Sequence, residues 1–159
     1  MGHRRKAREQ ALQLLFSMDL LGDSSDQTRE RFVEVHASGD VPEMDPLFEK
    51  LVSGVIQHRD ALDRTIERFS SNWRIPRMGC VDRNLLRMAV FEILYMPDIP
   101  EKVSINEAIE LAKLFGTRDS GSFVNGILDS IRIHREKEAK HSGSSADALC
   151  GKSTSGKGS

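Results

Sequence analysis

Apolar side chains along this chain return every three or four positions, the interval that lines one face of an α-helix. Over residues 4–21 the stripe is Ala7, Ala11, Leu14, Leu15, Met18 and Leu21, and Gly22 with Asp23 closes it. A weaker repeat over residues 26–36 turns Phe32 and Val35 inward. Asp45 followed by Pro46 is an N-cap with proline at the first helical position. Leu47, Leu51, Val55, Leu62, Ile66 and Phe69 continue from it, and a stripe that long predicts a break near residues 58–60. A loop carries Trp73 and Pro76. The next helix spans residues 79–96 around Leu85, Leu86, Ala89, Val90, Ile93 and Leu94, and Pro97 and Pro100 stop it. Ser104 and Glu107 have capping-box spacing ahead of Ala108, Ile109, Leu111 and Ala112, with Gly116 as the C-terminal cap. A last helix starts near Ser120 and buries Phe123, Ile127, Leu128 and Ile131. No run shows the sustained two-residue alternation of a strand. The expected fold is all-α, a compact helical bundle.

Composition adds boundaries to this picture. Residues 142–159 are dominated by serine, glycine and lysine, so residues 137–159 are expected to be a disordered polar tail behind a helical domain of residues 1–136. With 159 residues, one domain plus a tail is the natural division. Lysine and arginine total 23 and aspartate and glutamate 24, a net charge of -1, so the chain as a whole is no polycation. No window approaches a membrane span, and the basic start lacks the apolar run of a secretory signal. Cys80 and Cys150 lie far apart, which fits a reducing cytoplasm better than a disulfide framework.

Candidate catalytic chemistry is sparse. The histidines His3, His36, His58, His134 and His141 sit in no metal-ligand spacing, so neither a metal nor a cofactor is expected. Cys80 starts a helix, which can lower a thiol pKa, but a small half-buried side chain is the simpler expectation. Gly151 to Gly158 imitates part of a phosphate loop, yet it lacks the serine or threonine and the preceding strand, and reads as linker composition. Glu107 and Glu110 lie three apart, more simply as a solvated or ion-paired face, with Glu110 three residues before Lys113, than as a carboxylate pair, and no nucleophile or base completes a site.

Cations cluster instead. Arg4, Arg5, Lys6 and Arg8 crowd the first turns of the first helix. Arg4 and Arg8 are spaced to share a face, and Arg5 can pair with Glu9. Positive charge near a helix N-terminus opposes the helix dipole, so the placement suggests an anionic partner, RNA or DNA. A second feature is the segment from Lys113 to Phe123, which offers Lys113, Arg118, hydroxyls and the free amides of the next helix. Unpaired RNA is held by such sets, with aromatics stacking on bases. For Phe115 core packing is the expected role; for Phe123 stacking and core packing both stand.

Three blocks together resemble the bacterial transcription antitermination factor NusB family. They are Arg4-Arg5-Lys6-Ala7-Arg8-Glu9-Gln10-Ala11-Leu12-Gln13-Leu14-Leu15-Phe16, Asp82-Arg83-Asn84-Leu85-Leu86-Arg87-Met88-Ala89-Val90-Phe91-Glu92, and the stretch from Ile99 to Lys113 continued by Phe115-Gly116 and Phe123-Val124-Asn125-Gly126-Ile127-Leu128-Asp129. The resemblance implies two three-helix bundles plus a short additional helix, and no enzymatic activity. It implies binding of boxA, a short single-stranded RNA of ribosomal operons, together with ribosomal protein S10 (NusE), within an RNA polymerase antitermination complex. It maps the RNA face onto Arg4, Arg5, Lys6, Arg8, Arg118, Asp119, Ser120 and Phe123, and the NusE face onto Asp82 and Arg83. It also admits a homodimer that hides the arginine-rich face. Ser122 stands where family members often carry lysine or arginine, which removes one cation from the implied surface. Two other classes compete: a helical protein-interaction module without RNA, and the RNA-binding accessory domain of a ribosomal RNA methyltransferase. The latter would need an α/β cofactor domain that this sequence does not contain.

Overall fold

The computed structural model describes residues 2–37 and 45–152. Seven α-helices account for nearly all of them: α1 (His3–Leu21), α2 (Asp26–Ala37), α3 (Pro46–Gln57), α4 (Arg59–Phe69), α5 (Cys80–Tyr95), α6 (Glu101–Phe115) and α7 (Ser120–Lys152), with one 3-10 turn at Ile75–Arg77. No strand occurs among the described residues. The boundaries follow local chemistry. Gly22 ends α1 in the left-handed conformation, φ 66°, and its N–H donates to the Asp19 carbonyl. Asp45 caps α3 by accepting from the Leu47 N–H at 2.8 Å, with Pro46 at the first helical position. The long stripe breaks at His58.

Packing sorts the helices into two bundles. α1 lies against α2 and α3; α5, α6 and α7 pack on one another; α4 bridges α3, α5 and α7. α5 belongs to both halves, because it also contacts α1 and α3. One continuous core results, with Leu14, Phe48, Leu51, Leu62, Ile66, Leu86, Leu111 and Leu128 fully enclosed. Where α3 crosses α5, the Phe91 ring sits over Gly54, and a methyl group there would meet the ring at 2.1 Å. Glycine is what allows the two helices to approach so closely.

Several expectations need correction. Phe32 packs on the core and stacks with Phe48, but Val35 on the same helix is 70% exposed. The capping box at Ser104 does not form: α6 begins a turn earlier, after Pro100, whose carbonyl accepts from the Val103 and Ser104 amides. Ser104 is instead buried inside the helix. Gly116 does end α6, but in extended conformation, φ −91° and ψ −167°. It is needed for space: a Cβ there would lie 2.4 Å from the Ser120 Oγ and 2.7 Å from the Ala112 carbonyl oxygen. α7 runs to Lys152, into the segment 137–159 that was set apart as a polar tail. The run Glu136-Lys137-Glu138-Ala139-Lys140 is rich in good helix formers, and Arg132–Glu136 and His134–Glu138 pair one turn apart. Residues 153–159 lie outside the described residues.

Candidate nucleic-acid interface

The basic start of α1 divides into an inner and an outer set. Arg8 lies on the same buried stripe as Ala7, Ala11, Leu12 and Leu15, and is 3% exposed. Its Nη2 donates to Glu92 Oε1 at 2.6 Å and its Nε to Oε2 at 3.0 Å, while the Ser104 hydroxyl donates to Oε1 at 3.0 Å. Leu85, Met88, Ala89, Ala108 and Leu111 wall this pair off. A charge so enclosed is tolerated only because the bidentate partner and the hydroxyl satisfy it. Arg8 therefore joins α1 to α5 and is not on the surface where the sequence placed it.

Arg5 is intermediate. It turns away from Glu9 and grips Glu107 on α6 with two hydrogen bonds of 3.0 Å. That grip raises the Arg5 pKa and holds the Glu107 carboxyl below the usual carboxylate range. Glu107 is thus one half of an ion pair whose partner is remote in the sequence. Arg4 and Lys6 are exposed and have no ion-pair partner among the described residues.

At the far end of α6, the chain turns from Gly116 into α7. Ser120 is buried, and its Oγ accepts from the Thr117 N–H at 2.8 Å, so it folds the turn rather than facing solvent. The Asp119 carbonyl accepts from the Phe123 N–H at 3.1 Å, and its side chain is exposed. Arg118 is exposed and has no ion-pair partner among the described residues. Around this turn lies an open depression of about 450 Å³, lined by Ile109, Lys113, Gly116, Thr117, Arg118, Gly121, Ser122 and Asn125. It contains two cations, hydroxyls, an amide and no carboxylate. Lys113 reaches Glu110 at 3.5 Å, a loose pair that water screens. α6 carries both features: Arg5 holds Glu107 at one place on it, and Lys113 enters the depression less than two turns further along.

The aromatic residues reverse one expectation. Phe115 is 40% exposed beside the turn, because α6 ends there and no helix among the described residues covers that face. Phe123 is half-buried against the core and meets Trp73 edge-on, ring centroids 6.0 Å apart at 77°. Trp73 had no assigned role in the sequence. Its signal was a lone indole among polar residues, Ser71-Asn72-Trp73-Arg74, outside any apolar stripe.

The residues mapped to a protein partner sit elsewhere. Asp82 is half-buried in the first turn of α5. Arg83 is committed internally: its Nε and Nη2 hold Asp19 on α1 at 2.6 and 3.0 Å. Asp19 also accepts from Asn84 at 2.9 Å and Arg87 at 3.3 Å, and Arg87 holds Asp63 on α4 at 2.7 Å. Burial pushes the Asp19 carboxyl up, but the hydrogen bonds from Arg83 and Asn84 and the charges of Arg83 and Arg87 outweigh it, and its pKa falls to about 2. The Cys80 thiol is pushed up by burial and by Asp19, the reverse of activation at a helix start. No group of metal-ligating side chains occurs among the described residues, and no described helix is long and apolar enough to cross a membrane.

Fold and surface together define an all-helical protein with exposed cations at the start of α1 and around the turn that follows α6. A family model sharpens that class: NusB matches residues 5–132, and the chain belongs to the NusB family. A transcription antitermination protein NusB from Desulfatibacillum aliphaticivorans is 47% identical over 142 residues, covering 88% of this chain and 96% of the relative. Among solved structures, NusB of T. maritima is 35% identical with a TM-score of 0.69, covering 80% of this chain and 89% of that one. A NusB solved with NusE in complex with double-stranded RNA is 28% identical with a TM-score of 0.72, covering 82% and 96%.

Proposed function

We propose that this chain is a transcription antitermination factor that binds boxA-type single-stranded RNA of ribosomal operons together with ribosomal protein S10 (NusE), in the cytoplasm and without catalytic activity. The observation that carries it is the carboxylate-free depression holding Lys113 and Arg118, set on the same helix that clamps the basic start of α1. Family membership supports the reading, as does the relative solved with NusE and RNA. In this assignment Arg4, Lys6, Lys113 and Arg118 neutralise phosphates. Arg5 and Arg8 fix the position of α1, and Ser120 and Gly116 fix the turn. Phe115 and Phe123 supply faces on which unpaired bases stack. Asp119 accepts hydrogen bonds from base or sugar donors. Asp82 contributes to the NusE face, with Arg83 orienting it through Asp19. The functional unit is residues 1–136, and 137–159 stand outside it.

Anisotropy titration of labelled boxA, scrambled single-stranded and duplex RNA, with and without NusE, tests this. We expect tighter binding of boxA than of scrambled RNA, strengthened by NusE. Four neutralised phosphates give a log–log salt slope of about -3. Equal affinity for all three RNAs, or none, would overturn the assignment. Sedimentation of the free chain separates monomer from homodimer.

A further inference from the structure

Trp73 is the chain's only tryptophan, and it is 50% exposed. An indole left half in water forgoes much of the burial a tryptophan usually gains. The turn holds it there by its backbone. The Trp73 N–H donates to the Ser70 carbonyl at 3.3 Å, and the buried Ser70 hydroxyl donates back to the Trp73 carbonyl and to the Glu67 carbonyl. The Ile75 N–H donates to Glu67 Oε1 at 3.1 Å. Ser71 takes a left-handed φ of 58°, an unfavourable conformation for serine that the surrounding bonds enforce. The backbone that carries the ring is therefore held in place, and half of the ring stays in water. The ring meets Phe123 in a T-shaped contact, and Phe123 is next in sequence to Ser122 in the wall of the depression. Arg74 and Arg77 follow it in sequence, both exposed and without an ion-pair partner among the described residues.

We propose that Trp73 is a base-stacking platform that lengthens the RNA track beyond Phe123, with Arg74 and Arg77 neutralising the adjoining phosphates. Stacking on an aromatic face tolerates any base, so this position adds affinity and extends the site length rather than reading sequence. The proposal rests on the assignment of the depression to RNA.

Because the protein holds one tryptophan, its emission reports on position 73 alone. The full chain is titrated with short boxA-type RNA, following tryptophan emission together with anisotropy of labelled RNA. We expect RNA to quench the emission. Trp73→Ala should weaken binding about tenfold while Trp73→Phe retains most of it, and circular dichroism confirms that both fold. Replacing Arg74 and Arg77 by alanine should flatten the salt slope by about 1.4. If emission is unchanged at saturating RNA and Trp73→Ala binds as the parent does, while Arg4→Ala and Arg118→Ala weaken binding, the platform is overturned and the depression keeps its role. If anisotropy shows no binding by the parent chain, the RNA assignment fails and the platform with it. Quenching by NusE but not by RNA gives the indole to a protein partner and overturns the proposal.

Discussion

Two regions of this molecule hold arginines and use them in opposite ways. Between α1, α4 and α5, Arg8, Arg83 and Arg87 each grip a carboxylate with several hydrogen bonds, and Arg8 and Arg87 are buried. At the turn between α6 and α7, Lys113 and Arg118 line a hollow without a carboxylate, and Arg4 and Lys6 are exposed at the start of α1. The charge on an arginine is the same in both places. What differs is whether the fold has already neutralised it, and only the second region has charge to offer a ligand.

The largest test is at Arg8. Arg8→Ala leaves Glu92 enclosed and unpaired, and should cost about 3–5 kcal/mol in denaturant unfolding. Replacing both Arg8 and Glu92 by apolar residues of similar size should recover most of that loss. A mild Arg8→Ala would mean the pair is open to water and the contrast is false. Next comes Gly116→Ala, which forces Ser120 or the end of α6 to move. It should cost about 1–3 kcal/mol and weaken RNA binding together with stability.

A third test uses acid. Asp19 is unperturbed at 3.8 and lies at about 2 in the fold. A lowered folded pKa means that its contribution is complete above about pH 4 and is lost as the pH falls toward 2. That contribution is at most about 2 kcal/mol. Unfolding curves of Asp19→Asn should therefore depend less on pH in that window than those of the parent. The smallest effect on stability belongs to Arg4, Lys6 and Arg118. Their combined replacement by alanine should leave thermal unfolding unchanged while lowering RNA affinity and reducing the salt slope by about 2. A loss of fold in that triple variant would place these residues with the paired arginines.

Most helix boundaries were legible because they depend on neighbours in sequence: Asp45 with Pro46, Gly22 after Leu21, the proline after Met96. The basic cluster was legible as a cluster, but its division was not, because Glu92 and Glu107 are remote from it in the chain. One signal was present all the same. Arg8 falls on the stripe of Ala11, Leu12 and Leu15, and Glu92 falls on the stripe of Leu85, Met88 and Ala89. Opposite charges at apolar positions of two helices are what a buried pair looks like in one dimension. Phe115 defeats that arithmetic, since its exposure follows from where α6 stops and from what fails to cover it. Gly116 and Ser120 were legible as a helix end and a helix start, but not the hydrogen bond and close approach by which they shape the turn.

The sharing of α5 between the two bundles also governs how the chain can be made. Synthesis runs from the N-terminus, so α1 and α3 are made before residues 80–95, the helix that both pack against. Arg8 must then wait through 84 further residues for its carboxylate. The N-terminal half lacks part of its packing until α5 is made, and a truncated product ending before Glu92 loses both the carboxylate that pairs with Arg8 and the α6 side chains that help to enclose it.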